Sequence, residues 1–526
     1  MAGHSVNSAL TRGRSRPHRW LTSVPTPAAE FEDTVAGTTS AQARDLLVQF
    51  DTCAGRLREA RRAVEEHAKY CVRNRLPLDQ QLISRLLDAV RHGEVRLLQE
   101  RRVLAGYGDA DPPERLSAGE TVLRFGWATH SYVRGALEWC APSTAQSRAV
   151  QFFDVATQYS PEINYARFES NAVEDLERHI ADVLATPSTH MVSATSSGVA
   201  AYSLIEAVLL RHRLRPGDTV LIAPTVHFEP VEQLTALRYF RVMRATGHRV
   251  EDLLAAVRRH RPRCVFVDPL ANNARQRMID VPELVRRLPE VIAEQTTVVI
   301  DGTMLSCGPP LAPADSGVEV IYYESGSKHL QLGLDRTMAG FVVHPNDAHE
   351  QFVSQRRKTG SILDPRAADE FPRYPSDAHH SRMRRIGANA LRTATLLHTD
   401  PRVREVGRVC HPGLPNHPDR AIAETLPYQD GCLTYLFHQP ERNGREELAA
   451  LFERILANAR RLGVQLATGA SFGFSVPRLR AAEDTRAGGE SPFLRLSAGD
   501  RSDQVDLLAS AVAEAIGDPI ARELAG

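Results

Sequence analysis

The sequence predicts an α/β fold built on a mostly parallel central sheet, preceded by a helical extension and followed by a small α+β domain. Three observations lead there. From about residue 189, short β-branched runs alternate with helical segments, the pattern of parallel strands covered by helices on both faces. Before that point two long segments carry helical spacing. After about residue 390 a separate block begins, and it closes with an amphipathic helix from about Ser502 to Ile516.

The elements follow in order. Residues 1–40 contain several arginines and no signal-type apolar stretch, so a flexible tail is expected. A helical extension is expected over 41–150. Within 41–72, Leu46, Phe50, Cys53, Leu57 and Val64 recur every three or four residues; 78–104 is also periodic, and Pro77 between them predicts a helical hairpin. The large domain is expected over 151–390. Its strands read THMVSA, TVLIA, YFRVMR, RCVFVD, TVVID, VEVIYYE and AGFVV. Several end in polar residues, namely Asp268, Asp301 and Glu324 with Ser325, and such sheets bind ligands beyond their carboxyl ends. The small domain is expected over 391–526.

Composition narrows the function. Lys+Arg and Asp+Glu each number 64, so the zero net charge gives no support to nucleic acid or an anionic membrane as the main partner. The seven cysteines include no CxxC pair, which argues against a disulfide framework or a zinc ribbon, and no metal is expected. A reducing, cytoplasmic setting is the expectation. No apolar run approaches the ~20 residues of a membrane span.

Lysine usage points to chemistry. The chain has only three lysines, Lys69, Lys328 and Lys358. Arg replaces Lys in solvation and ion pairing but not in imine chemistry, so a retained lysine in SGSKHL is a candidate nucleophile. Asp301 ends a strand 27 residues earlier, and a carboxylate beside a pyridine nitrogen keeps it protonated. The turn SATSSGVAA opens a helix whose first amides, around Gly198 and Val199, can hold a phosphate. Ser325 and Ser327 flank the lysine, and Arg495 in FLRLSAGD can clamp a carboxylate. Together these features describe a pyridoxal 5′-phosphate (PLP) site with Lys328 as the Schiff-base lysine.

From about residue 160 onward the chain resembles the Cys/Met metabolism family of fold-type-I PLP enzymes, which includes cystathionine γ-synthase and methionine γ-lyase. The resemblance rests on YARFESNAVEDLERHIADVLA, SSGVAA, VIDGTM, SGSKHL, CHPGLPNHPDR and LRLSAGD, in the family's order. It implies that Lys328 holds the cofactor and moves protons, that Asp301 pairs with the pyridinium, and that Ser197, Gly198, Val199, Ser325 and Ser327 bind the phosphate. Tyr165 and Arg167 would reach the phosphate of a neighbouring subunit, implying a homodimer or homotetramer. Arg495, with Ser471, would hold the substrate carboxylate. In DPLANNARQRMID, counting back from Asp280 selects Asn273 as the ligand of the cofactor's phenolic oxygen, with Asn272 as the alternative.

Departures from the family pattern bear on the reaction. A ring-stacking tyrosine is replaced by His227, a residue that titrates near neutrality and would do different proton work. The family's G-H-S-D becomes LGLD, keeping Asp335, and the N-terminal extension is about a hundred residues longer than usual. The resemblance therefore implies a divergent transferase or lyase. Its expected reaction is γ-replacement or γ-elimination on an amino acid such as an O-acylhomoserine or S-adenosylmethionine, through a vinylglycine-type electrophile met by a nucleophilic co-substrate, in natural-product biosynthesis. The alternatives are an annulation of S-adenosylmethionine with a nicotinamide dinucleotide, β-elimination or transamination, and a non-catalytic PLP-binding regulator. No GxGxxG fingerprint supports a dinucleotide site.

Overall fold

Leu46, Phe50, Cys53, Leu57 and Val64 are all buried along one side of helix α1 (Ala41–Arg73), as their spacing requires. Helix α2 (Gln80–Ala105), capped by the Asp79 carboxylate, returns against it through Ile83, Leu86, Val90 and Leu97. A third helix, α3 (Glu114–Leu137), completes the layer with Leu123, Trp127 and Val133. Its glycines disguise it in the sequence, because each costs about 1 kcal/mol in a helix interior. Two of them are there for close packing: a Cβ on Gly126 would lie 2.9 Å from the Cys53 sulfur, and one on Gly119 would lie 2.8 Å from Leu104. The computed structural model describes residues 40–517 except 74, 76, 109–113, 138–169, 311, 313–315 and 483–491. Tyr165 and Arg167 lie outside the described residues.

The seven expected strands form one sheet: β1 (His190–Thr195), β2 (Thr219–Ile222), β3 (Arg241–Arg244), β4 (Cys264–Val267), β5 (Thr296–Asp301), β6 (Val318–Ser325) and β7 (Gly340–Pro345). The order is β1-β7-β6-β5-β4-β2-β3, parallel throughout except for β7, which is antiparallel to both neighbours. Strands β2 and β4 are buried along their whole length, which explains their uninterrupted apolar sequences. Because β4, β5 and β6 run in parallel, Asp268, Asp301 and Ser325 emerge at the same edge of the sheet. Helix α4 (Gly198–His212) follows β1 and packs on the sheet through Tyr202, Ile205 and Val208; α5 (Phe228–Ala236) follows β2.

The long helix α6 (Ser376–Thr399) leads to a five-stranded sheet of β8 (Gly407–Cys410), β9 (Cys432–Phe437), β10 (Ala467–Thr468), β11 (Arg478–Ala482) and β12 (Phe493–Ser497), ordered β10-β11-β12-β9-β8. Helices α7 (Arg445–Arg461) and α8 (Val505–Gly517) pack on it through Leu448, Leu451, Ile455, Leu508, Val512 and Ile516. The arrangement is the fold-type-I plan: a mostly parallel large sheet, an α+β unit after it and a helical layer before it. Among the described residues no helix is long and apolar enough to cross a membrane.

Candidate active site

Lys328 lies three residues beyond β6, at the start of the short turn His329–Gln331. Its ammonium donates to the Ser471 hydroxyl at 2.7 Å and stands 5.1 Å from the centre of the Phe472 ring. Burial, and then the Arg495 guanidinium, lower its pKa, while Asp301 leads the opposing charges. A lysine shifted downward gives up its proton more readily, as a nucleophile and a base both require.

The neighbouring strand ends carry two carboxyls. Asp301 accepts from the Thr303 amide at 2.9 Å, and the Thr303 hydroxyl accepts from the Ser325 amide at 3.1 Å, tying the aspartate loop to the lysine strand. Asp268, at the end of β4, accepts from the His227 amide at 2.9 Å. Burial, together with the Asp301 charge beside it, pushes the Asp268 carboxyl well above its ordinary range, and the same two influences raise the Tyr323 phenol. Two carboxyls side by side, Asp268 buried and Asp301 half-buried, call for a cationic partner.

On the other side of the lysine strand, α4 begins. The Ser197 hydroxyl caps it, accepting from the Ala200 amide at 3.0 Å, while the Gly198 and Val199 amides stand in the first turn, where no intrahelical acceptor exists. Gly198 is pressed against the lysine loop: a Cβ there would lie 2.9 Å from the Ser325 Cβ and 3.1 Å from its Cα. Only glycine brings this helix start so close, and the result is a concave, positively polarised end beside Ser325. Ser327 is turned to the sheet, its hydroxyl accepting from the Ala339 amide at 3.3 Å.

Arg495, buried on β12, donates to the Asn272 amide oxygen at 2.6 Å and to the Ala470 carbonyl at 2.5 Å. The two neighbouring asparagines are placed differently. The Asn273 side chain closes its own turn, accepting from the Arg275 and Gln276 amides at 3.1 and 3.0 Å, whereas Asn272 reaches the arginine. His227 caps α5 at the strand edge, its ring 3.8 Å from the Glu229 carboxylate. The structure thus gathers Lys328, Asp301, Gly198, Ser325, Arg495 and Ser471 along one edge of the sheet. Sequence reasoning gave no role to Asp268, Thr303 or Phe472, although Asp268 carries the strand-end signal. It also missed Gln276, which donates to the Asp430 carboxylate at 2.7 Å and to the Cys432 carbonyl at 3.1 Å and so anchors the Asn272 turn. Burial raises Asp430 to about 7.

A group bound here should be cationic near Asp301, anionic at the Gly198 cradle and able to condense with an amine at Lys328. Pyridoxal phosphate meets all three conditions, so fold and site define a PLP-dependent enzyme. The sequence places it further: residues 140–508 match the model of the Cys/Met metabolism PLP-dependent enzymes, and the chain belongs to that family, with pyridoxal 5′-phosphate as its cofactor. The "Bifunctional enzyme flvA" of Aspergillus flavus is 32% identical over 389 residues, which are 72% of this chain but 46% of that protein, so the chain spans about half of that relative's length. Among solved structures, cystathionine γ-synthase of Xanthomonas oryzae pv. oryzae in complex with cystathionine aligns with a TM-score of 0.55 at 20% identity, covering 72% of this chain and 98% of that one. CalE6 of Micromonospora echinospora, a methionine γ-lyase, aligns at 0.53 with 23% identity, covering 69% and 92%. These two likenesses speak to the fold.

Proposed function

We propose that this enzyme catalyses γ-replacement, or the corresponding γ-elimination, on an amino acid whose γ-carbon carries a leaving group, such as an O-acylhomoserine or S-adenosylmethionine. The observation that carries the reading is the lysine of lowered pKa, held at 2.7 Å by Ser471 and close to the Arg495–Asn272 pair. When bound, the cofactor supplies an electron sink that makes the α- and β-protons of the substrate removable. The chain supplies the rest. Asp301 would keep the pyridine nitrogen protonated, and the α4 start with Ser325 would hold the phosphate. Arg495 would bind the substrate carboxylate with two parallel donors, Asn272 serving beside it. That fixes the α-carbon where Lys328 can take its proton and return it to a neighbouring carbon. In replacement, the Cγ–leaving-group bond breaks, a Cγ–nucleophile bond forms, and the nucleophile's proton departs with the leaving group. In elimination nothing adds at Cγ: the Cγ–leaving-group bond breaks, the α-proton is relocated within the carbon skeleton, and water hydrolyses the C2–N bond, so that the products are a 2-oxo acid, ammonium and the leaving group. The long helical extension and His227 in place of a stacking aromatic support a specialised bond-forming role. Tyr165 and Arg167 would complete the phosphate site of a second subunit.

The test is a visible absorption spectrum of the purified protein and of Lys328→Ala, each titrated with O-acetylhomoserine and S-adenosylmethionine. The expected result is a cofactor band that the mutant lacks and a substrate-dependent long-wavelength band in the wild type. A band that survives in Lys328→Ala overturns the lysine assignment. Turnover of β-substituted amino acids alone overturns the γ-reading.

A further inference from the structure

A buried arginine on α6 stands between the N-terminal helices and the loop that carries Ser471. Arg382, on α6, is 1% exposed. Its Nε donates to the Asp500 carboxylate at 2.7 Å and its Nη2 to the Gly473 carbonyl at 3.1 Å. Gly473 lies two residues from Ser471, the hydroxyl that holds the Lys328 ammonium. It also sits directly on the lysine backbone: at φ 84°, a Cβ there would lie 2.8 Å from the Lys328 carbonyl carbon and 2.9 Å from the His329 Nδ1. The guanidinium is boxed on its other side by Gly333, where a Cβ would lie 2.7 Å from Nη2 and 2.4 Å from the Ser475 hydroxyl. That hydroxyl in turn donates to Asp500 at 3.3 Å. Packing this tight transmits a displacement instead of absorbing it.

Asp500 is where the N-terminal helices take hold. Gln42 on α1 donates to the Asp500 carbonyl, and Asp45, one turn further, pairs with Arg385, one turn from Arg382 on α6. From α3, the Ser117 hydroxyl accepts from Arg501 at 2.9 Å and from Gln465 at 3.0 Å. The gripped segment begins at Asp500, five residues after Arg495, so the helices bear on the loop behind Lys328 and on the end of the strand that carries the carboxylate clamp.

We infer that Arg382 is a positioning residue for the reaction at Lys328, and that helices α1 and α3 hold it and the Ser471–Ser475 loop in register. The inference rests on the reading of Lys328 as the reacting lysine. It gives the extension a task at the site without any contact to substrate.

The experiment uses full-length protein and two variants, Gln42→Ala/Asp45→Ala at the junction and Arg382→Lys, which keeps the charge but loses the fork. Backbone hydrogen exchange across residues 471–475 should accelerate on the order of 10-fold in the junction variant, with β4 and β5 unchanged. In cofactor-loaded protein, kcat should fall on the order of 10- to 100-fold, with cofactor affinity retained. Arg382→Lys should fall between the junction variant and wild type in both readouts. Faster exchange confined to α1, with 471–475 and kcat unchanged, overturns the inference. The exchange arm needs no cofactor, so it scores this coupling even if the visible band of Lys328→Ala disproves the lysine assignment.

Discussion

Gly198→Ala tests the phosphate cradle most directly. The new Cβ would sit 2.9 Å from the Ser325 Cβ, 3.1 Å from its Cα and 3.3 Å from its hydroxyl. Ordinary carbon contacts begin near 3.5 Å, so the start of α4 must withdraw by about 0.6 Å from the lysine loop. The neighbours are a short side chain and its own backbone, and neither can swing aside. Overpacking of this kind costs about 1–3 kcal/mol of stability. The larger consequence is for the phosphate, because the first-turn amides and the Ser325 hydroxyl would no longer converge on one point. Losing one charge-assisted hydrogen bond of about 1.5–3 kcal/mol weakens cofactor binding roughly 10- to 100-fold. The assay is a PLP titration of apoprotein followed by visible absorbance, beside a thermal melt. A Gly198→Ala protein with unchanged PLP affinity would refute the assignment of this helix start to the phosphate.

Three further outcomes follow from the same geometry. Asp301→Asn should retain the cofactor while kcat falls on the order of 10²- to 10³-fold, because a neutral amide no longer favours the charged ring; steady-state kinetics beside a PLP titration separate the two effects. Arg495→Lys keeps the charge but cannot span Asn272 and Ala470 at 2.6 and 2.5 Å, so KM for the amino acid should rise roughly 10- to 100-fold with PLP affinity unchanged. Glu120, at the junction of α3 with the Asp500 segment, is raised by burial and by Asp500 from 4.5 to about 7. The folded chain therefore holds this proton more tightly than the unfolded chain does. Its contribution is intact below pH 4.5 and is lost as pH rises through about 7. Glu120→Gln should remove that loss and stabilise the protein at pH 8 by about 1–3 kcal/mol, with little change at pH 4.5, as read by urea denaturation at both pH values.

Much of this protein could be read from local sequence. The strand runs ending in Asp268, Asp301 and Ser325 announce themselves because buried parallel strands must be apolar throughout and must turn polar where they leave the sheet. Lys328 stands out because arginine fills nearly every other cationic position. What local sequence could not supply is pairing across long separations. Spacing pointed to Asn273 and left Asn272 open; nothing local shows that Asn273 closes its own turn while Asn272 turns outward to Arg495, 223 residues away. Helix α3 was hidden by glycines whose helical cost is offset only once Cys53 and Leu104 pack against them. The role of Arg382 depends on Gly473, Asp500 and Gln42 arriving from three distant segments. The sequence by itself determined the fold class and the cofactor, because periodicity and residue type are local properties. Only the tertiary structure decided which groups face one another and what holds them there, because burial, close approach and charge pairing arise when distant segments pack.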